Sequence, residues 1–125
     1  MRVLLDTHIF LWVANESPRL NAEARRCLEE ADAVYISSAT IWEIAIKTRI
    51  GKITDDPDKM IYAIGASGFE ELSVSVHHAA AVAKLPLHHR DPFDRLLIAQ
   101  AITEEMRLLT ADPQLKAYSE LVECV

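Results

Sequence analysis

Cysteine is nearly absent from this chain: Cys27 and Cys124 stand far apart and form no CxxC. That excludes a disulfide framework and a thiolate metal site, and both residues read as small apolar side chains. Glycine is scarce as well, three residues against five prolines, with no Ser/Gly-rich tract, repeat or linker among the 125 residues. The chain therefore reads as one domain, without a glycine-rich phosphate loop. Aromatics make up 6% and form no platform of the RRM kind, and no serine nucleophile elbow is present. Long apolar runs are missing too. Segments such as Ile9 to Ala14 are far too short for a bilayer, and the opening residues, Asp6 among them, do not make a signal-peptide core, so a cytoplasmic protein without membrane contact is expected. Finally, positive charge is in deficit. Thirteen Lys and Arg face nineteen Asp and Glu for a net charge of −6, so the molecule as a whole does not attract a polyanion and any nucleic-acid contact must be local.

What is present is apolar residues, half of the chain, in two kinds of pattern. Short runs at Val3 to Leu5, Val34 to Ile36, Leu72 to Val76, Leu108-Leu109 and, more weakly, Leu121 to Val125 read as buried strands. Between them His8 to Asn15, Asn21 to Ala31, Ala39 to Ile50, Asp58 to Ala66, His77 to Leu85 and Pro92 to Met106 carry apolar residues at three- and four-residue spacing, which predicts helices. Ser38 is placed to cap the third helix and Gly51 to close it, while Asp91-Pro92 sets a capping carboxylate before a proline suited to the first helical position. Alternating strand and helix imply an α/β fold, a parallel sheet with helices on both faces and ligands beyond the carboxyl ends of the strands.

Four carboxylates stand where chemistry is expected. Asp6 follows the first strand and Asp112 the fourth, each also suited to capping what comes next. Asp94 shares a helical stripe with Leu97, Ile98 and Ala101, so it is a carboxylate facing inward, which is costly without a partner. Glu43 lies in a helix apolar on nearly all sides, with Ile41, Trp42, Ile44, Ala45, Ile46 and Ile50, so the helix should be largely buried; a surface pair with Lys47 four residues on is its plainer reading. If the four converge, mutual repulsion raises their pKa values unless a hard, oxygen-preferring cation such as Mg²⁺ or Mn²⁺ holds them ionised. Such a pocket suits phosphodiester hydrolysis.

The segments LLDTHIFLW (4–12), TIWEIAIK (40–47), DPFDRLLIAQA (91–101) and LLTADPQL (108–115) together resemble PIN-domain ribonucleases, above all the VapC toxins of bacterial and archaeal toxin–antitoxin pairs. The resemblance covers the whole chain, residues 1–125 as one PIN-like domain. It implies a parallel sheet with an acidic Mg²⁺- or Mn²⁺-binding pocket made of Asp6, Glu43, Asp94 and Asp112, RNA as substrate, homodimers, and a small cognate antitoxin that blocks the groove. It adds Thr7 as a hydroxyl near the metal and leaves Asp91 outside the acidic set, in keeping with a cap.

Histidines and basic residues complete the candidates. His88-His89-Arg90-Asp91 contains zinc-type ligands, but adjacent histidines seldom face one ion, so a basic loop near substrate phosphates is the preferred reading. His77-His78 reads as surface, and His8 as near the pocket without an assignable role. Lys47, Arg49 and Lys52, with Arg90 and Arg95, are either a solvated basic helix end or a rim steering RNA phosphates. The expected function is a metal-dependent endoribonuclease toxin in which metal-activated water leaves 5′-phosphate and 3′-hydroxyl ends. Its rivals are a PIN nuclease of RNA maturation or DNA processing without an antitoxin, and a binding module that does not cleave.

Overall fold

A computed structural model describes residues 1–125. The elements run β1 (Arg2–Leu5), α1 (Thr7–Ala14), α2 (Ala22–Glu30), β2 (Ala33–Ser37), α3 (Ser38–Arg49), α4 (Pro57–Ala66), β3 (Glu70–Leu72), α5 (Val76–Ala81), α6 (Pro92–Glu104), β4 (Arg107–Thr110) and β5 (Val122–Cys124). Short 3₁₀ segments extend α5 (Val82–Lys84) and follow β4 (Pro113–Tyr118). The five strands form one wholly parallel sheet in the order β3-β2-β1-β4-β5. The α/β expectation holds, and no helix is long and apolar enough to cross a membrane.

The continuous apolar runs of β1 and β4 follow from burial on both faces. Alternation divides them: Val3, Leu5 and Leu109 join Ile9, Phe10, Ile36, Ile44 and Ile64 on one side of the sheet. Leu4 and Leu108 join Leu97, Ile98, Ala101, Met106 and Leu115 on the other. Register aligns Leu4 with Leu108 and Leu5 with Leu109, so β1 and β4 end side by side. The chain leaves β1 toward β2 on one side and reaches β4 on the other, which makes their carboxyl ends the switch point where ligands of open parallel sheets sit.

Four local expectations need correction. The third strand lies earlier than Leu72 to Val76: Glu70–Leu72 is an exposed acidic edge that no apolar run announces, and Ser75 already caps α5 through the His78 amide. Ser37, not Ser38, caps α3; the Ser38 hydroxyl instead accepts from Val74 N–H. Gly51 does follow the end of α3, at φ +79°. Helix α3 is not largely buried, because Trp42, Ile46 and Ile50, spaced by four, stay 60%, 37% and 60% exposed, although the Trp42 ring meets Phe93 edge-on at 5.2 Å. His78 is no surface residue either. It is buried, with Nδ1 accepting from Ser75 N–H at 2.9 Å and Nε2 at 2.7 Å from Glu104, and Gln100 lies beside the ring.

A carboxylate cleft at the sheet switch point

The cleft begins where β1 gives way to α1. Asp6 N–H continues the sheet ladder to Leu109 O at 3.0 Å, and the side chain then caps α1. Its two oxygens divide the work: Oδ1 accepts from Ile9 N–H at 2.9 Å, and Oδ2 from the Thr110 hydroxyl at 2.5 Å. Thr110 in turn accepts from Asp112 N–H at 3.0 Å, so one buried hydroxyl fixes the acids that follow β1 and β4. Asp112 shares the pattern, with Oδ1 capping the 3₁₀ segment through Gln114 N–H while Oδ2 stands 3.4 Å from His89 Nε2. Capping thus uses one oxygen of each acid and leaves the other turned to a different partner, Thr110 for Asp6 and His89 for Asp112.

Asp91 caps α6 through Phe93 and Asp94 N–H, as its place before Pro92 predicts. Asp94, in the first turn, lines an open cleft of about 370 Å³ whose walls include Asp6, His8, Trp12 and Asp112. Burial, then the charges of Asp91, Asp6 and Glu43, raise its carboxyl from 3.8 to about 7, against an opposing effect of His89. Burial likewise raises Asp6, more than the bonds from Thr110 and Ile9 and the nearby His8 lower it, and Glu43 adds to the rise. Glu43 is not part of the cleft wall. Buried behind it on α3, it accepts from the Thr7 hydroxyl at 2.6 Å and from Lys47 Nζ at 2.5 Å. Burial opposes the charge on Lys47, yet Glu43, with Asp91 and Asp94 beyond, keeps its pKa above the ordinary 10.5.

The expected Glu43–Lys47 pair therefore forms, but inside the molecule. Thr7 orients Glu43 through its hydroxyl. The predicted basic rim is smaller than its five residues, since Lys47 is committed to Glu43 and Arg95 to the carbonyls of Pro86, Val82 and Leu85 and to Tyr118; Arg49, Lys52 and Arg90 remain exposed. Two residues beside the acids were not assigned to them by the sequence reading, which left Thr110 without a role and read His89 as part of a basic loop. Thr110 was legible only as the last residue of a strand, directly before the acid it helps to hold. The other is His89, whose Nε2 lies 3.4 Å from Asp112 and 3.8 Å from Asp94. The rule against adjacent histidines sharing an ion excludes the pair, not one member: His88 packs edge-on against Tyr118 while His89 turns inward.

Three carboxylates thus line one cleft, with Glu43 and its Lys47 ammonium behind it. The PIN domain model matches residues 3–121. This chain belongs to the PIN-domain family. Among its relatives, Ribonuclease VapC22 of Mycobacterium tuberculosis is 30% identical over 125 residues, spanning 93% of this PIN domain and 91% of that protein. VapBC2 from Rickettsia felis, solved bound to a DNA fragment from the promoter, superposes with a TM-score of 0.72 at 20% identity over 99% of this chain and 98% of that one. A toxin–antitoxin complex from Klebsiella pneumoniae gives 0.68 at 20% identity, over 97% and 95%. These likenesses establish the PIN-like fold: one parallel sheet flanked by helices.

The donor set fits a hard divalent cation. Asp6, Asp94 and Asp112 offer oxygens to one space, Glu43 lies close enough to raise Asp6 and Asp94, and Lys47 offsets one of the four charges. Carboxylate oxygens of Asp94 and Asp112 lie within 4.8 Å of each other, a spacing that one ion can span, and His89 Nε2 stands equally near.

Proposed function

We propose that this PIN domain is a Mg²⁺- or Mn²⁺-dependent endoribonuclease, the toxin of a toxin–antitoxin pair, with Asp6, Glu43, Asp94 and Asp112 as its metal-holding and catalytic residues. The observation that carries the reading is the under-compensated acid cluster at the switch point, in a chain 30% identical to a ribonuclease. A bound cation supplies Lewis-acid stabilisation of the phosphate and lowers the pKa of water. The chain's own part is to hold the acids still. Capping fixes Asp6 and Asp112 on their strand ends, Thr110 ties the two together, and Thr7 with Lys47 prevents Glu43 from turning away. Exposed Arg49, Lys52 and Arg90 are the local cations able to meet an RNA backbone despite the net charge of −6.

The relatives solved as toxin–antitoxin complexes support a small cognate antitoxin as partner. The outward stripe of Trp42, Ile46 and Ile50 is apolar surface of the kind that contacts protein, in keeping with antitoxin binding and a homodimer. A cytoplasmic location agrees with an RNA substrate. The test is cleavage of RNA by the purified chain with Mg²⁺ or Mn²⁺ and with EDTA, followed by analysis of the ends. The expected products carry 5′-phosphates, and cutting continues when the scissile nucleotide is 2′-deoxy. Full-rate cutting in EDTA, or an obligatory 2′,3′-cyclic phosphate, overturns the mechanism. Uptake of the ion without any cutting favours the non-cleaving module.

A further inference from the structure

The loop before α6 is fixed with unusual completeness around His89. Tyr118 Oη accepts from His89 N–H at 2.7 Å and from Arg95 at 3.1 Å, and donates to His89 O at 3.3 Å, which uses all of a phenol's hydrogen-bonding capacity. Arg95 adds bonds to the carbonyls of Pro86, Val82 and Leu85. The ring is held too: Asp91 N–H donates to Nδ1 at 3.0 Å. A backbone amide is only a donor, so Nδ1 must be the bare nitrogen and the ring proton sits on Nε2. Nε2 stands 3.4 Å from Oδ2 of Asp112 and 3.8 Å from Oδ2 of Asp94, electrostatic contacts longer than a formed hydrogen bond, to carboxylates carried by different elements.

We propose that His89 is a positioning residue of the carboxylate centre, using its Nε2–H to hold Asp94 and Asp112 at the spacing a divalent cation needs. The inference rests on the metal reading above and extends it to a residue outside the acidic set. In this tautomer Nε2 has no lone pair to offer, so His89 acts on the ion through the two acids rather than by ligation. Outer partners of this type alter metal affinity by about 10- to 100-fold when removed. The arrangement also gives Asp91 a second task. Its side chain caps α6, while its amide selects the imidazole tautomer.

The two ring nitrogens can be replaced separately. In His89→Asn the side-chain oxygen can accept from Asp91 N–H and keep the loop closed, but no donor reaches the carboxylates. In His89→Gln an amide N–H reaches about as far as Nε2. Titration calorimetry of the full chain with Mn²⁺ alone should show binding weakened about tenfold or more in His89→Asn and His89→Ala, with recovery to within about threefold of wild type in His89→Gln. Exposed His77→Ala serves as control, and the thermal midpoint without metal should be the same in wild type and His89→Asn. Wild-type affinity in His89→Asn overturns the inference alone, as does His89→Gln binding no better than His89→Asn. Nitrogen coupling to bound Mn²⁺ in pulsed electron paramagnetic resonance, lost in His89→Gln, overturns it by making His89 a ligand. Absence of uptake by the wild-type chain removes the metal reading together with it.

Discussion

The two ends of α6 treat buried polarity in opposite ways. Near its C-terminal end one imidazole, His78, is matched by one carboxylate, Glu104, at 2.7 Å, with Ser75 N–H on the other ring nitrogen. Near its N-terminal end another imidazole, His89, is fixed by a backbone amide in the same manner, but its proton faces two carboxylates, with Asp6, Glu43 and Asp91 behind them. The first cluster sets one acid against one imidazole, with only the buried Gln100 Oε1 beside it left without a partner. The second carries more negative charge than its own cations offset, and that excess, rather than burial or the presence of histidine, is what supports the proposal that it binds a cation.

The sharpest way to break the comparison is to remove the excess. Asp94→Asn should lower RNA cleavage by more than about 100-fold while circular dichroism shows the fold intact, because it takes a charge from the centre. Asp91→Asn, which still caps α6, should keep most activity. Equal loss in both variants would mean that charge in general, rather than the Asp94 position, matters.

Next in size is the response to cations and to pH. Mn²⁺ at a hundred times its Kd should stabilise the wild-type fold by about 2.7 kcal/mol, and Asp6→Asn should reduce that gain. Without metal, the folded chain keeps a proton on Asp94 from its ordinary 3.8 up to about 7, whereas the unfolded chain releases it near 3.8. The folded state therefore binds more protons across this interval, and stability falls as pH rises through it; the burial-raised Asp6 acts in the same direction. Melting curves of metal-free protein should show that fall, and it should be shallower in Asp94→Asn. A wild-type curve no steeper than that of the variant removes Asp94 from the account.

The His78 cluster should behave conversely. His78→Ala should cost about 1–3 kcal/mol in urea unfolding, since Glu104, Gln100 and Ser75 N–H lose a partner, yet leave Mn²⁺ affinity unaltered. Loss of Mn²⁺ binding in folded His78→Ala would join what the comparison separates. The smallest effect belongs to Thr40, whose buried hydroxyl has no partner. Thr40→Val should be neutral or stabilising by no more than about 1 kcal/mol, because it deletes a buried polar atom without breaking a bond. A larger loss would reveal a hydrogen bond there after all.

Much of this was legible beforehand because the signals were local. Runs at Val3 to Leu5 and Leu108-Leu109 marked central strands, since burial on both faces leaves no polar alternation. The Asp-Pro pair at 91–92 marked the start of a helix and left Asp94 facing inward. What stayed hidden depends on neighbours remote in sequence. Nothing near His78 points to Glu104, and nothing near His89 points to Asp112. The exposure of Trp42 was hidden for the opposite reason, since an apolar stripe reads as core unless the fold shows that it is only partly covered. Edge strand β3, short and acidic, lacks the apolar pattern by which strands are recognised.

The bond between Thr110 and Asp6 joins residues 104 positions apart, through two strands that lie next to each other in the sheet. During synthesis the first of the four acids is made at once, but it has neither this tether nor its ladder partner until residues 107–110 leave the ribosome. A chain that ends before residue 107 lacks β4 and Asp112 and therefore possesses no cleft. Under the proposed toxin function, that order of assembly withholds activity from every copy that ends before Asp112.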